Sequence, residues 1–324
     1  MSVAIDQLKR ALEDAIQLYG PNGRTVGFHL QNLAGHELKL GQIHEAESTS
    51  ARALAILVQH AQPGSMTAAA AENVNGKAQV AARRGAEALP VLTSVHGAAA
   101  KIFGPAHEHA LGVRANRALV LGYAGRLAEA TREMQATIAA MRGAGGSFLM
   151  PLYAAGLLQR VLGNHAAALE LQREALTRVT DKPQLKLELA QVETAIGLAL
   201  LEIDPEHAMA PLERARPIFR ELEQPITPPH ADALVGGGRL HLRAGRPTDA
   251  LPLLEEADRF WRGFDAESRW AGDAALWLGQ CYAALNRSGD ARVTLMRASR
   301  VLARSPLPED ARLSRLAMSR TPRS

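Results

Sequence analysis

The chain has 324 residues, room for about two globular domains or one extended helical array, and 37 Lys and Arg against 33 Asp and Glu give a net charge of +4. Aromatics make up 4% and strand-length runs of Val, Ile and Thr are scarce, so helix is the expected element. Cys281 is the single cysteine, which excludes an internal disulfide framework or a cysteine-rich metal cluster and fits a reducing, cytoplasmic setting.

The first segment, "MSVAIDQLKRALEDAIQLYG", alternates charged and apolar residues at helical spacing and lacks the apolar core of an export signal. Residues 1–19 therefore read as an amphipathic capping helix, or the second half of a truncated repeat, with Ala4 and Ala11 seven apart. No later stretch approaches the roughly 18 charge-free apolar residues of a membrane span, and no membrane segment is expected.

From residue 20 onward the chain repeats itself. "LGQIHEA" (40–46) and "AGRLAEA" (124–130) lie 84 residues apart, and "YGP" (19–21) returns as "FGP" (103–105) at the same offset. Two units of 42 place a further copy near residue 88, where "RRGAEA" ends at Ala88. Later copies end at Ala168, Ala208, Ala250 and Ala291, so that seven alanines (46, 88, 130, 168, 208, 250, 291) are spaced 42, 42, 38, 40, 42 and 41. Seven residues after each stands Ala53, Val95, Thr137, Ala175, Ala215, Ala257 or Ala298; twelve before stands Ala34, Gly76, Ala118, Gly156, Ile196, Gly238 or Gly279.

Close helix approach explains this pattern. Two antiparallel helices pack tightly only where small side chains let their backbones meet, and a seven-residue offset returns to the same face after two turns. Each unit is predicted to be a helix A, a turn and a helix B; in the third these cover roughly 107–123 and 128–142, with "GAGGS" separating the next copy. Seven such units span 20–304, and 305–324 form a basic C-terminal capping helix and tail.

The positive charge lies at this end. Residues 285–324 hold nine arginines against three acids, a net +6, leaving −2 for the remainder. A nucleic-acid interface needs cations spread along one face with stacking aromatics, so no specific nucleic-acid partner is expected. Gly236-Gly237-Gly238 follows no strand and precedes no Lys and Ser or Thr, which excludes a phosphate loop. His107 and His109 have an i, i+2 spacing without a second ligand pair, and Cys281 lies inside a predicted helix as a buried thiol. No catalytic residues, metal or cofactor are expected, and the chain does not read as an enzyme.

In the seventh copy, Leu278-Gly279-x-x-Tyr282 followed by Ala291 resembles the tetratricopeptide repeat. The spacing near 42, with "FGPAHEHAL" and "QNLAGHELKLGQIHEAE", is similar to the kinesin-light-chain type, also common in bacterial regulators. The resemblance implies an all-α fold, a right-handed α-solenoid of antiparallel helix pairs whose A helices line a concave groove for extended peptides or partner helices. It also implies that the histidines after "GP" belong to the repeat-opening loop. Asn32 and Asn116, two residues before the small position, match the asparagine that pairs with a peptide backbone in that family; Val74, Ala154, Thr194, Gly236 and Trp277 stand there in the other copies. Gln31, Lys39, Asn73, Lys77, Tyr153, Arg160, Arg239 and Arg243 are expected on the same concave face. Their cations favour an acidic or C-terminal-carboxylate ligand. Two functions follow from the resemblance: an interaction scaffold for a peptide or protein partner, or a sensory module of a larger bacterial signalling protein that binds a small ligand or its own effector domain.

Overall fold

The computed structural model describes residues 2–60, 66–83, 85–144, 146, 148–222 and 226–321. The described residues form helices and no strand, and the chain divides into two compact units, Met1–Leu162 and Gly163–Ser324. The first holds α1 (Ser2–Tyr19), α2 (Arg24–Lys39), α3 (Ile43–His60), α4 (Met66–Ala81), α5 (Leu89–Phe103), α6 (Glu108–Tyr123), α7 (Leu127–Gly143) and α8 (Leu149–Val161). The second holds α9 (His165–Leu176), α10 (Lys186–Ile203), α11 (Met209–Glu221), α12 (Pro228–Arg243), α13 (Pro247–Asp265), α14 (Arg269–Ala284), α15 (Ser288–Leu302) and α16 (Pro308–Arg320). Within each unit every helix packs on the one next to it in sequence, the layering of an α-solenoid. No described helix is long and apolar enough to cross a membrane.

Turn chemistry sets the helix pairs. Gly41, Gly125, Gly163 and Gly245 have φ between 68° and 78°, and Arg83 and Asn286 adopt φ of 56° and 59°. Each stands five residues before one of the repeating alanines. A left-handed residue there lets the next amide reach back over the helix end, as Arg126 N–H does to the Leu121 carbonyl at 2.9 Å and Arg287 N–H to that of Tyr282 at 2.9 Å. The "LGQ" and "AGR" signatures are thus helix stop signals.

All seven repeating alanines are at most 1% exposed, and the small residues seven positions later are buried with them. Opposite them the glycines leave no room for a Cβ. One built on Gly238 would lie 2.5 Å from Leu254, one on Gly279 2.6 Å from Leu295, and one on Gly76 3.0 Å from Leu92. In each pair the leucine follows the buried alanine by four residues, one turn along helix B.

Two copies depart from this geometry. Ala88 ends the short 3-10 turn Ala86–Ala88 and Ala208 follows another, Pro205–His207, so that both stand just before helix B instead of inside its first turn. In the fifth copy no left-handed residue stops α10, which runs on to Ile203 before Pro205 breaks it. The close approach consequently moves by one residue: Gly197, not the Ile196 of the sequence alignment, faces Leu212 at 2.5 Å.

A comparison of two helix glycines tests this packing. Gly35 in α2 has nothing within 4 Å of a Cβ position. Gly35→Ala should stabilise the first unit by up to about 1 kcal/mol, the helix-propensity difference. Gly279→Ala should instead lower the melting temperature, because its Cβ meets both the Leu295 side chain and the Leu295 backbone nitrogen at 3.2 Å. Calorimetry of the two variants would contradict this packing if the shifts had the same sign.

His230, 8% exposed at the start of α12, stacks on Phe219 with ring centroids 4.8 Å apart. Burial, helped by the charges of Arg220 and Arg216, pushes its pKa down to about 4. Unfolding restores an ordinary histidine, so the unfolded chain takes up the proton first as pH falls. Stability supplied by the neutral ring is complete above about pH 6.5 and is lost between there and about pH 4, a decrease on the order of 3 kcal/mol. His230→Phe keeps the stack and should flatten the acid limb of a pH-dependent urea melt.

Candidate functional site

The sequence-derived face residues divide sharply by unit. In the second unit the two cations are spent on the fold. Arg239 Nη2 donates to Glu202 Oε1 at 2.5 Å, its guanidinium lies 4.4 Å from the Trp277 ring centroid, and its side chain is only 12% exposed. Burial alone would raise the Glu202 carboxyl, but the Arg239 charge and hydrogen bond outweigh it and hold its pKa low. Trp277 Nε1–H in turn donates to Asp273 Oδ1 at 3.0 Å, and burial raises that carboxyl's pKa against the pull of Arg239 and Arg269. Arg243 donates to the Leu201 carbonyl at 2.5 Å. Both arginines therefore join α10 to α12.

In the first unit the face residues differ in exposure. Gln31 on α2 is half-buried and its Oε1 has no hydrogen-bond partner among the described residues. Asn32 is exposed, and its backbone carbonyl lies 2.9 Å from His36 Nδ1. On α4, Asn73 is half-buried and Lys77 exposed. They lie four residues apart and so share one helix face. Partial desolvation lowers the Lys77 pKa, and the like charge of Lys39 on α2 lowers it further. Asn116 on α6 and Tyr153 and Arg160 on α8 are half-buried.

Asn73 also lines a cavity of about 130 Å³ with Ala70, Val95, Ala99, Ile102, Phe103 and His109, where α4, α5 and the start of α6 meet. The other sequence-derived residues are outside its lining. His107 caps α6, its Nδ1 accepting from His109 N–H at 3.2 Å, and Phe103 stacks on His107 at 5.0 Å and meets His109 edge-on at 5.6 Å. His107 is thus the cap residue of a repeat-opening turn, whereas His109 is inside the helix. Desolvation first, then the charges of Lys77 and His107, lower the His109 pKa. The apolar lining from α5 was absent from the sequence reading. Its signal was the unusually apolar "VLTSVHGAAAKIF", which reads equally as core.

Residues 241–312 match the tetratricopeptide repeat family. The matched segment takes in α13, α14 and α15, and contains the Leu278-Gly279-x-x-Tyr282 signature. Among curated proteins none matches the chain. Among solved structures, yeast Tom70 is similar at 12% identity over 98% of this chain and 58% of that one, with a TM-score of 0.47. This chain thus spans less than two thirds of Tom70's length. A tetratricopeptide repeat protein from Parabacteroides merdae is 17% identical over 90% of this chain and 98% of its own, with a TM-score of 0.41. YrrB, described as a TPR protein with an unusual peptide-binding site, is 17% identical over 64% of this chain and 91% of its own, with a TM-score of 0.36.

Proposed function

We propose that the chain is a non-catalytic interaction module that binds an extended peptide segment of a partner protein across the A helices of its first unit, α2, α4 and α6. The observation that carries this reading is the set of side chains there, Gln31, Asn32, Asn73 and Lys77, of which Gln31 Oε1 has no hydrogen-bond partner among the described residues and Asn32 and Lys77 are exposed. An amide side chain can pair with both the N–H and the C=O of an extended backbone, and the neighbouring cations favour a ligand with acidic residues. The tetratricopeptide match in the second unit supports an interaction role for the repeats. The spacing near 42 is the basis for reading them as the kinesin-light-chain type, in seven units over 20–304 flanked by the capping segments 1–19 and 305–324.

Selection of a randomised peptide-display library against the full chain tests the reading. Enriched peptides should bind stoichiometrically, and Asn32→Ala with Asn73→Ala should weaken them by about tenfold, the loss of one to two net hydrogen bonds, with an unchanged melting temperature. Absence of any enriched peptide, together with binding of a small metabolite in a thermal-shift screen, would replace this reading by that of a ligand-sensing regulatory module.

A further inference from the structure

The cavity where α4, α5 and the start of α6 meet is walled by residues of graded exposure. Val95 and Ala99 of α5 are buried at its floor, Ile102 is half-buried, and Phe103, 44% exposed, stands at the rim. Two imidazoles hold the Phe103 ring, His107 stacked on it at 5.0 Å and His109 edge-on at 5.6 Å. Fixing an exposed phenyl ring costs side-chain entropy and leaves apolar surface in water beside an apolar hollow.

Size and polarity restrict what the hollow can take. Its volume is about 130 Å³, close to the roughly 150 Å³ of an apolar cavity that takes up benzene, so one six-membered ring fits and a fused pair does not. Asn73 and His109 are the polar groups of the lining. Desolvation first, then the charges of Lys77 and His107, lower the His109 pKa and favour the neutral imidazole, which offers one donor and one acceptor; the Asn73 amide offers both as well. The described lining contains no carboxylate, lysine or arginine to compensate a charged ligand.

We propose that this cavity is a binding site for a small, uncharged, single-ring aromatic molecule bearing one hydrogen-bonding group, of the phenol class. The ring lies between the α5 side chains and the Phe103 ring, and its hydroxyl meets Asn73 or His109. The site does not depend on the peptide-binding reading. Asn73 belongs to both, however, so a bound phenol and a bound peptide compete for that amide, and the site is tested without peptide.

Ligand-observed magnetic resonance titrations of the full chain use phenol, benzene, benzoate and 2-naphthol as probes. Phenol should bind saturably at one site, and benzene about fivefold to tenfold more weakly for want of a hydrogen bond. Benzoate and 2-naphthol should bind about tenfold more weakly or worse, the first through its buried charge and the second through its size. Ala70→Phe fills the cavity from a half-exposed position and should reduce phenol affinity by about tenfold or more. Asn73→Leu with His109→Leu should abolish the preference for phenol over benzene. Ile102→Ala enlarges the cavity and should admit 2-naphthol, which serves if Ala70→Phe lowers the melting temperature. Phenol binding that none of these variants alters, benzoate bound as tightly as phenol, or no saturable phenol binding would each overturn the site, and none of these results bears on the peptides.

Discussion

Ala130→Glu should destabilise the first unit by about 3–5 kcal/mol, while Ala128→Glu, two residues away on the same helix, should cost less than about 0.5 kcal/mol. Both positions lie in the first turn of α7, where a carboxylate interacts favourably with the helix dipole, and Glu and Ala are both good helix formers. Local helix energetics therefore cancel in the comparison. The burial of the two sites does not: Ala130 is fully buried, as is Ala118 on the neighbouring α6, whereas Ala128 is exposed. A glutamate at 130 must either force α6 and α7 apart or hold an unpaired carboxylate in an apolar contact, and each route is costly. Urea denaturation of the two variants measures the difference. Similar midpoints would show that α6 and α7 are not packed through Ala130.

Asp310→Ala should have an effect of similar size at the other end of the chain. Asp310 is fully buried and receives three hydrogen bonds, from Arg269 Nε at 2.7 Å, Arg269 Nη2 at 2.6 Å and Ser305 Oγ at 2.5 Å. The bidentate pair joins the start of α16 to α14, while Leu313 and Ala317 of α16 complete an apolar cluster with Leu276, Leu295, Ala298 and Leu302. Removing the acid leaves the guanidinium without its buried counter-charge, a loss of about 3–5 kcal/mol. The double variant Arg269→Met with Asp310→Leu should recover much of it, since it removes both charges and adds apolar packing. Trypsin reports the effect locally. Cleavage at the exposed Arg312, Arg315 and Arg320 should accelerate in Asp310→Ala before the rest of the unit opens, and an unaltered digestion rate would show that the ion pair does not hold α16 in place.

The charge of this end also depends on the fold. By segment, residues 285–324 carry a net +6. In the structure Arg297 pairs with the buried Asp258 at 2.6 Å, and Arg300 and Arg304 pair with Glu267 at 3.2 and 2.5 Å. The acids that neutralise these arginines come from α13 and the turn after it. Counting charge along the sequence therefore overstates the basic character of the surface, because helices adjacent in space exchange partners about forty residues apart.

The repeat was legible in the sequence because close packing of helices allows only small side chains at the contact. The seven alanines and the glycines opposite them had to recur at nearly fixed intervals, and six of the seven A-to-B turns carry a left-handed stop residue. The all-helical fold, the pairing of α2 with α3, α6 with α7, α12 with α13 and α14 with α15, and the burial of Cys281, whose pKa burial pushes to about 11, could all be read from that periodicity. Periodicity placed Ile196 at a contact that Gly197 makes, since whether α10 stops or continues by one residue is decided by Pro205 and the 3-10 turn after it. It likewise assigned Arg239, Arg243 and Lys77 to one class of face residue. Only the tertiary structure distinguished them. Arg239 meets Glu202 and Trp277, Arg243 meets a carbonyl of α10, and Lys77 is exposed with the like charge of Lys39 acting on it. Backbone packing follows from local residue size, which a sequence displays directly; the availability of a charge depends on what the neighbouring helices bring within a few ångströms, which spacing along the chain does not contain.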